Sequence, residues 1–325
     1  MLQIKKIPLL FTLILLSVIC KAQVSYFGSE VSSNGKLDSL KNTTTLFTFQ
    51  YNDYKELEKF DEAIKKVWTI TPYKIIKPNE LANYDANSSS YSLFYLDAYS
   101  EAVDTTTKVN IVYTLKLITP SKKPKQKEES VLATINLYSD VYTNMIVKEM
   151  GGKLSARRGP KSNILSVLYN NSTLYNWSPG FLAGYLKQVN DGLISGKSRY
   201  LDFQFYNKVR LPQLVNETLY VPEYIRRLFS ENKKAGADKI YNVETAPEMY
   251  NYKLKFPLYA ELDSLILNKE KPVKYLVYTQ RSNDKIISIY DSKDNQIIYQ
   301  KFIPQSISFE MSDLIDIKKL IKSIQ

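Results

Sequence analysis

The chain has no histidine and one cysteine, Cys20, in 325 residues. Without histidine there is no Ser-His-Asp triad, no Cys-His pair and no HExxH zinc helix. A zinc site built only from carboxylates would be unusual. The chemistries left open are paired-carboxylate hydrolysis, Ser-Lys acyl transfer and calcium-dependent reactions. Beyond the amino terminus no stretch is long and apolar enough to span a membrane,.

Cys20 ends the apolar run Ile7–Ile19, which follows Lys5 and Lys6 and precedes Lys21-Ala22. Basic, apolar and small-residue regions in that order describe a secretory signal peptide, residues 1–22, cut between Ala22 and Gln23. About thirteen apolar residues fall short of the ~20 that a transmembrane helix needs. A lipidated cysteine normally follows a small residue, whereas Ile19 is bulky and β-branched. Soluble export is therefore expected, with an acyl anchor on Cys20 as the alternative. The mature chain then has no thiol with which to form a disulfide, and its stability rests on an apolar core. Its length suggests two domains, 23–198 and 199–325.

Basic residues outnumber acidic ones by 44 to 33; three of the lysines lie in the signal, which leaves +8 for the mature chain. Such a balance suits nucleic acid or anionic surfaces. The densest cluster, Ser121 to Ser130, carries a proline and ends in two glutamates, the composition of a solvated hairpin loop. Abundant Lys, Asn, Ile and Tyr also follow from an AT-rich gene, so nucleic-acid binding is not expected.

The organisation is read from periodicity. Thr44 to Tyr51 is β-branched and aromatic, a strand. Tyr54 to Trp68 places Tyr54, Leu57, Phe60, Ile64, Val67 and Trp68 on one helical face, with Asn52 or Asp53 as the cap. A short strand in TPYKIIKPNEL follows, then three longer ones at Ser90–Tyr99, Lys108–Ile118 and Ser130–Asp140. The middle one alternates Val109, Ile111, Tyr113, Leu115 and Leu117 against polar neighbours, an antiparallel strand with one buried face. Ser178 caps a helix over Pro179–Ile194. The pattern then recurs. NETLYVPEYIRRLF echoes the opening, YKLKFPLYAELDSLI echoes PYKIIKPNELANY, and strands with turns at RSND and SKDN lead to a final amphipathic helix. The class expected is α+β: two similar modules of strand-helix-strand followed by an antiparallel meander and a closing helix.

That element order, with the hairpin Ile289 to Asn295, resembles the α/β modules of bacterial envelope proteins. Examples are the amino-terminal domain of the Tol translocation protein and the periplasmic domain of curli-type secretion channels. The resemblance implies a periplasmic adaptor that contacts other envelope proteins, with no catalytic residues to carry over.

Motifs with chemical meaning are few. GLISGKS (Gly192 to Ser198) has three residues before its Gly-Lys where a phosphate-binding loop needs four. It follows a helix, so Gly196 is expected as a C-cap glycine. MGGKLSARRGPKS offers Lys153, Arg157 and Arg158 as a possible anion-binding loop. Ser282 and Lys285 have the spacing of a Ser-Lys pair, but in a hairpin turn. DSKDNQ (Asp291 to Gln296) lacks the glycine and distal glutamate of an EF-hand. The 26 tyrosines suit half-exposed sheets or a glycan or peptide platform,. Asp38-Ser39-Leu40 and Asp263-Ser264-Leu265 resemble O-glycan acceptors of exported bacterial proteins. The function expected is an exported, non-enzymatic binding or adaptor protein of the envelope. It would be periplasmic and without a cofactor, with an envelope protein or cell-surface polymer as partner. A carboxylate-dependent hydrolase of cell-wall or glycan polymers is the alternative.

Overall fold

The structure is a computed structural model that describes residues 23–103, 106–120, 127–150, 166–200, 203–226 and 246–325. The first half supplies β1 (Val24–Phe27), α1 (Gly28–Ser33), α2 (Lys36–Lys41), β2 (Thr44–Phe47), α3 (Leu57–Val67) and β3 (Tyr73–Ile75). It continues with β4 (Tyr91–Val103), β5 (Thr106–Pro120), β6 (Lys127–Asn136), α4 (Val141–Met150), α5 (Pro179–Ile194) and β7 (Ser198–Arg199). The second half supplies β8 (Phe205–Tyr206), β9 (Leu219–Tyr220), α6 (Ala246–Tyr250), β10 (Leu254–Lys255) and α7 (Tyr259–Leu267). The strands β11 (Lys274–Arg281), β12 (Asp284–Asp291) and β13 (Gln296–Ile303) and the helix α8 (Met311–Ser323) complete it.

These strands form two sheets, ordered β3-β2-β4-β5-β6-β1-β7 and β10-β9-β11-β12-β13-β8. The orders follow one plan. An edge strand lies parallel to a second and that to a third. The third opens an antiparallel meander, and a strand from the start of the half closes it antiparallel. The α+β class and the recurrence read from the sequence thus have a topological counterpart.

Alternation explains β4, whose Ser92, Phe94, Leu96 and Ala98 are buried while the residues between them are half-buried. For β5 the expectation of one buried face does not hold, since Asn110, Val112 and Thr114 are buried along with Val109, Ile111 and Tyr113. The β11–β12 turn docks on its beginning. There Arg281 donates to the Asn110 side chain and Ser282 hydrogen-bonds the Val109 backbone, while Lys108 pairs with Asp284 at 2.9 Å. A buried pair, Lys285 with Asp313 at 2.7 Å, ties β12 to α8 on the other side of the second sheet.

Helix α5 starts where its sequence says it should. The Ser178 hydroxyl accepts from the Phe181 N–H at 3.2 Å, and Pro179 sits in the first turn,. It ends at Gly196, with φ of 63°. The Lys197 N–H reaches the Gly192 carbonyl at 3.0 Å and the Gly196 N–H reaches that of Leu193 at 3.3 Å, the paired bonds of a Schellman cap,. The apolar row Phe181, Leu182, Tyr185, Leu186, Val189 and Leu193 is buried as expected. The opposite side is buried too, through Gly180, Ala183, Gly184, Gln188, Asn190 and Gly192.

The small residues on that side let large neighbours close in. A β-carbon at Gly192 would stand 2.1 Å from the ring of Tyr26 on β1, and one at Gly184 would stand 2.8 Å from the Tyr275 hydroxyl on β11. The helix therefore joins both sheets. One core unites Phe94, Tyr113 and Leu186 with Tyr275 and Tyr290, and it includes α3 and α7 residues. A second core lies on the far face of the second sheet, between Leu276, Tyr278, Ile287 and the α8 residues Leu314, Ile317 and Ile321. Among the described residues no helix is long and apolar enough to cross a membrane.

Because the Tyr26 ring fills the space above Gly192, Gly192→Ala should cost about 1–3 kcal/mol of stability. A urea titration would show it as a lower midpoint at unchanged slope; an unchanged midpoint would mean that Tyr26 does not pack as described.

Candidate functional site

The edge strand β3 and helix α3 frame an open groove in the first half, and both arise from local rules. The strand β2 is β-branched and aromatic, and the chain then turns helical. Gln50, rather than Asn52 or Asp53, takes the N-cap position; Asp53 lies three residues on and accepts the Gln50 N–H at 3.1 Å,. A 3₁₀ turn, Tyr51–Glu56, leads into α3, which buries Phe60, Ala63, Ile64 and Val67. Its other flank, with Leu57, Asp61 and Lys65, lines a groove of about 750 Å³ together with Trp68, Tyr73 and Ile75.

The register fixes which main-chain groups of β3 are used. The Thr45 N–H donates to the Pro72 carbonyl and the Ile76 N–H to the Phe47 carbonyl, both at 2.9 Å. Alternation then turns the N–H and C=O groups of Tyr73 and Ile75 away from β2. As β3 ends the strand order, no strand among the described residues pairs with that outer side.

The groove's side chains are already ordered. The Tyr73 hydroxyl donates to Asp61 at 2.6 Å, and Lys65 pairs with the same carboxylate. Burial alone would raise the Asp61 carboxyl, but the hydrogen bonds from Lys65 and Tyr73 hold it below its usual value. On the opposite face of the strand, exposed Lys74 donates to the Tyr84 hydroxyl at 2.6 Å.

Gaps inside the sheets, by contrast, are closed by tyrosines. Where β2 stops and β4 runs on, the Tyr169 hydroxyl accepts from the Leu96 N–H at 2.9 Å and donates to its carbonyl at 3.2 Å. In the second half Tyr224 does the same for Tyr278, at 3.3 and 3.0 Å. Tyr113, Tyr275, Tyr278 and Tyr290 are fully buried, so the expectation of half-exposed strand tyrosines fails for them.

A second cluster lies at the start of α5. The Trp177 indole N–H donates to Asp53 at 3.0 Å, and the Gly180 N–H donates to Asp263 at 2.8 Å. Burial pushes the Asp53 carboxyl up to about 6 and raises that of Asp263 as well. These are the carboxylates to which a hydrolase reading would turn, and nothing local in the sequence marks them as a pair. Each spends an acceptor on a protein donor that organises the helix start.

Other sequence candidates fall elsewhere. Lys153, Arg157 and Arg158, like Cys20 and Ala22, lie outside the described residues. Gln23 is buried and donates to the Tyr185 hydroxyl at 3.0 Å. Ser282 bonds the Val109 backbone while Lys285 is held by Asp313, so the two do not form a Ser-Lys pair. Asp291 and Asp294 both hold Arg210. Of the acceptor-like serines, Ser39 and Ser264 are exposed, but Asp263 is buried. Among the described residues no three or more acidic or cysteine side chains gather as a metal site. No protein-family model, curated protein or solved structure matches the chain.

Asp53 has a folded-state pKa above its ordinary 3.8. Its protonated form is therefore favoured by folding, a contribution complete below about pH 4 and lost as the pH rises through 6. Asp53→Asn keeps one oxygen for Trp177 and Gln50. The variant should match the parent near pH 4 and be more stable at pH 8, by roughly 3 kcal/mol. Thermal unfolding across that range checks it; a variant less stable at pH 8 would contradict the assignment.

Proposed function

We propose that the protein is an exported, non-enzymatic binding or adaptor protein of the bacterial cell envelope, and that it takes up an extended segment of a partner polypeptide along β3. The observation that carries this reading is the outer edge of Tyr73 and Ile75 beside the α3 groove, with which no strand among the described residues pairs. An added strand gains main-chain hydrogen bonds from the edge and side-chain specificity from the pockets beside it. Export is supported by the signal-like residues 1–22, and a periplasmic adaptor role by the resemblance to envelope modules. The hydrolase alternative would require Asp53 and Asp263 to face a substrate, whereas their described partners are internal donors.

A photo-reactive amino acid at position 74, compared with one at exposed Lys322 on α8, tests the proposal in fractionated native cells. The expected result is an envelope protein crosslinked at 74 and not at 322. Ile75→Pro removes one outward N–H and spares the β2 ladder, so it should abolish that crosslink. An equal yield with and without the proline would count against strand addition.

A further inference from the structure

We infer that the chain carries a second strand acceptor at β10, and that β3 and β10 both take an extended segment in which apolar residues alternate with acidic ones. The inference rests on the binding reading of β3 and goes beyond it in valency and partner chemistry.

Three observations meet at β10. Its sequence repeats that of β3: Tyr73-Lys74-Ile75 runs to Pro78, and Tyr252-Lys253-Leu254 runs to Pro257, with the same spacing from tyrosine to proline. Its place repeats too, as the outermost strand parallel to β9 where β3 is outermost and parallel to β2. Finally, the main chain is turned the same way. The N–H groups of Leu219, Val221 and Glu223 donate to the carbonyls of Lys253, Lys255 and Pro257 at 3.0, 2.8 and 3.2 Å. Alternation leaves Leu254 and Phe256 facing outward, as Tyr73 and Ile75 do.

The two faces of each edge set the partner's chemistry. Tyr73 and Ile75 lean on the first core, and Leu254 and Phe256 on the second. An added strand extends the pleat, so its side chains on those faces meet apolar neighbours. On the opposite faces stand Lys74 in one case and Lys253 and Lys255 in the other, all exposed. Side chains next to them are best acidic, since like charges directly across a ladder repel. Asp61 in the first groove does not reverse this choice, because Lys65 and Tyr73 already occupy its carboxylate.

The probe is an end-capped nine-residue peptide alternating valine and glutamate, with a valine-lysine peptide as control. Titration calorimetry on the full chain and amide shifts of Tyr73, Ile75, Leu254 and Phe256 are the readouts. Two peptides should bind per chain. Ile75→Pro or Leu254→Pro should each leave one, and the double variant none, with unfolding midpoints confirming that each variant is folded. Lys255→Glu, at an exposed side chain, should weaken the β10 site about tenfold and spare β3. A single site lost with Ile75→Pro and untouched by Leu254→Pro would overturn the second acceptor and leave β3 standing. Equal binding of the lysine peptide would overturn the charge assignment. No binding and no shift at any of the four amides would overturn this inference together with the reading of β3.

Discussion

The two halves of this molecule are joined through a helix that is buried on nearly every side, with only Lys187, Asp191 and Ile194 reaching water. Helix α5 is capped at both ends by its own sequence, and its apolar row could have covered one sheet and left the other side to water. Instead Gly184, Gly192 and their small neighbours bring Tyr275 and Tyr26 against it, and the helix becomes common property of both halves. At about 25 cal/mol per Å² of apolar surface removed from water, a helix buried on most of its circumference contributes strongly to holding the sheets together,. The cross-link between the halves is packing.

The two sheets end in β7 and β8 on one side and in β3 and β10 on the other, and of these edges β3 and β10 are the parallel ones. Short edges carrying lysine and bounded by proline are a common defence against indiscriminate pairing. Here the same features act as a filter. The three residues of β3, set between Pro72 and Pro78, offer few hydrogen bonds, so a partner must gain from the groove and from the lysines as well. The tyrosine bridges at Tyr169 and Tyr224 show how completely this chain satisfies strand edges that lie inside it. Those two bridges sit at matching points of the two halves, one on β4 and one on β11.

Much of the fold was legible in the sequence because its signals are local. Period-two alternation located β5 between two further strand candidates, helical spacing located α3 and α5, and the Ser178-Pro179 start and Gly196 end needed only neighbouring residues. The echo between YKIIKP and YKLKFP pointed to a repeated short strand. What was not legible depends on distant contacts. The second buried face of β5 comes from a turn more than a hundred residues later. The tyrosines looked half-exposed because strand alternation does not reveal that α5 lies across both sheets. Asp53 and Asp263 are drawn to one helix start from opposite halves, and no spacing records that. The groove beside β3 was likewise invisible, since an edge becomes an edge only when the strand order is known.

The measurement that tests the central claim most directly is residue-resolved hydrogen exchange on the full mature chain. The account predicts that amides of α5 exchange slowest, in one cooperative unit with β4, β5, β11 and β12, while the outward amides of Tyr73 and Ile75 exchange fastest in the first sheet. A second half that opens at lower free energy while α5 stays protected would contradict a shared core.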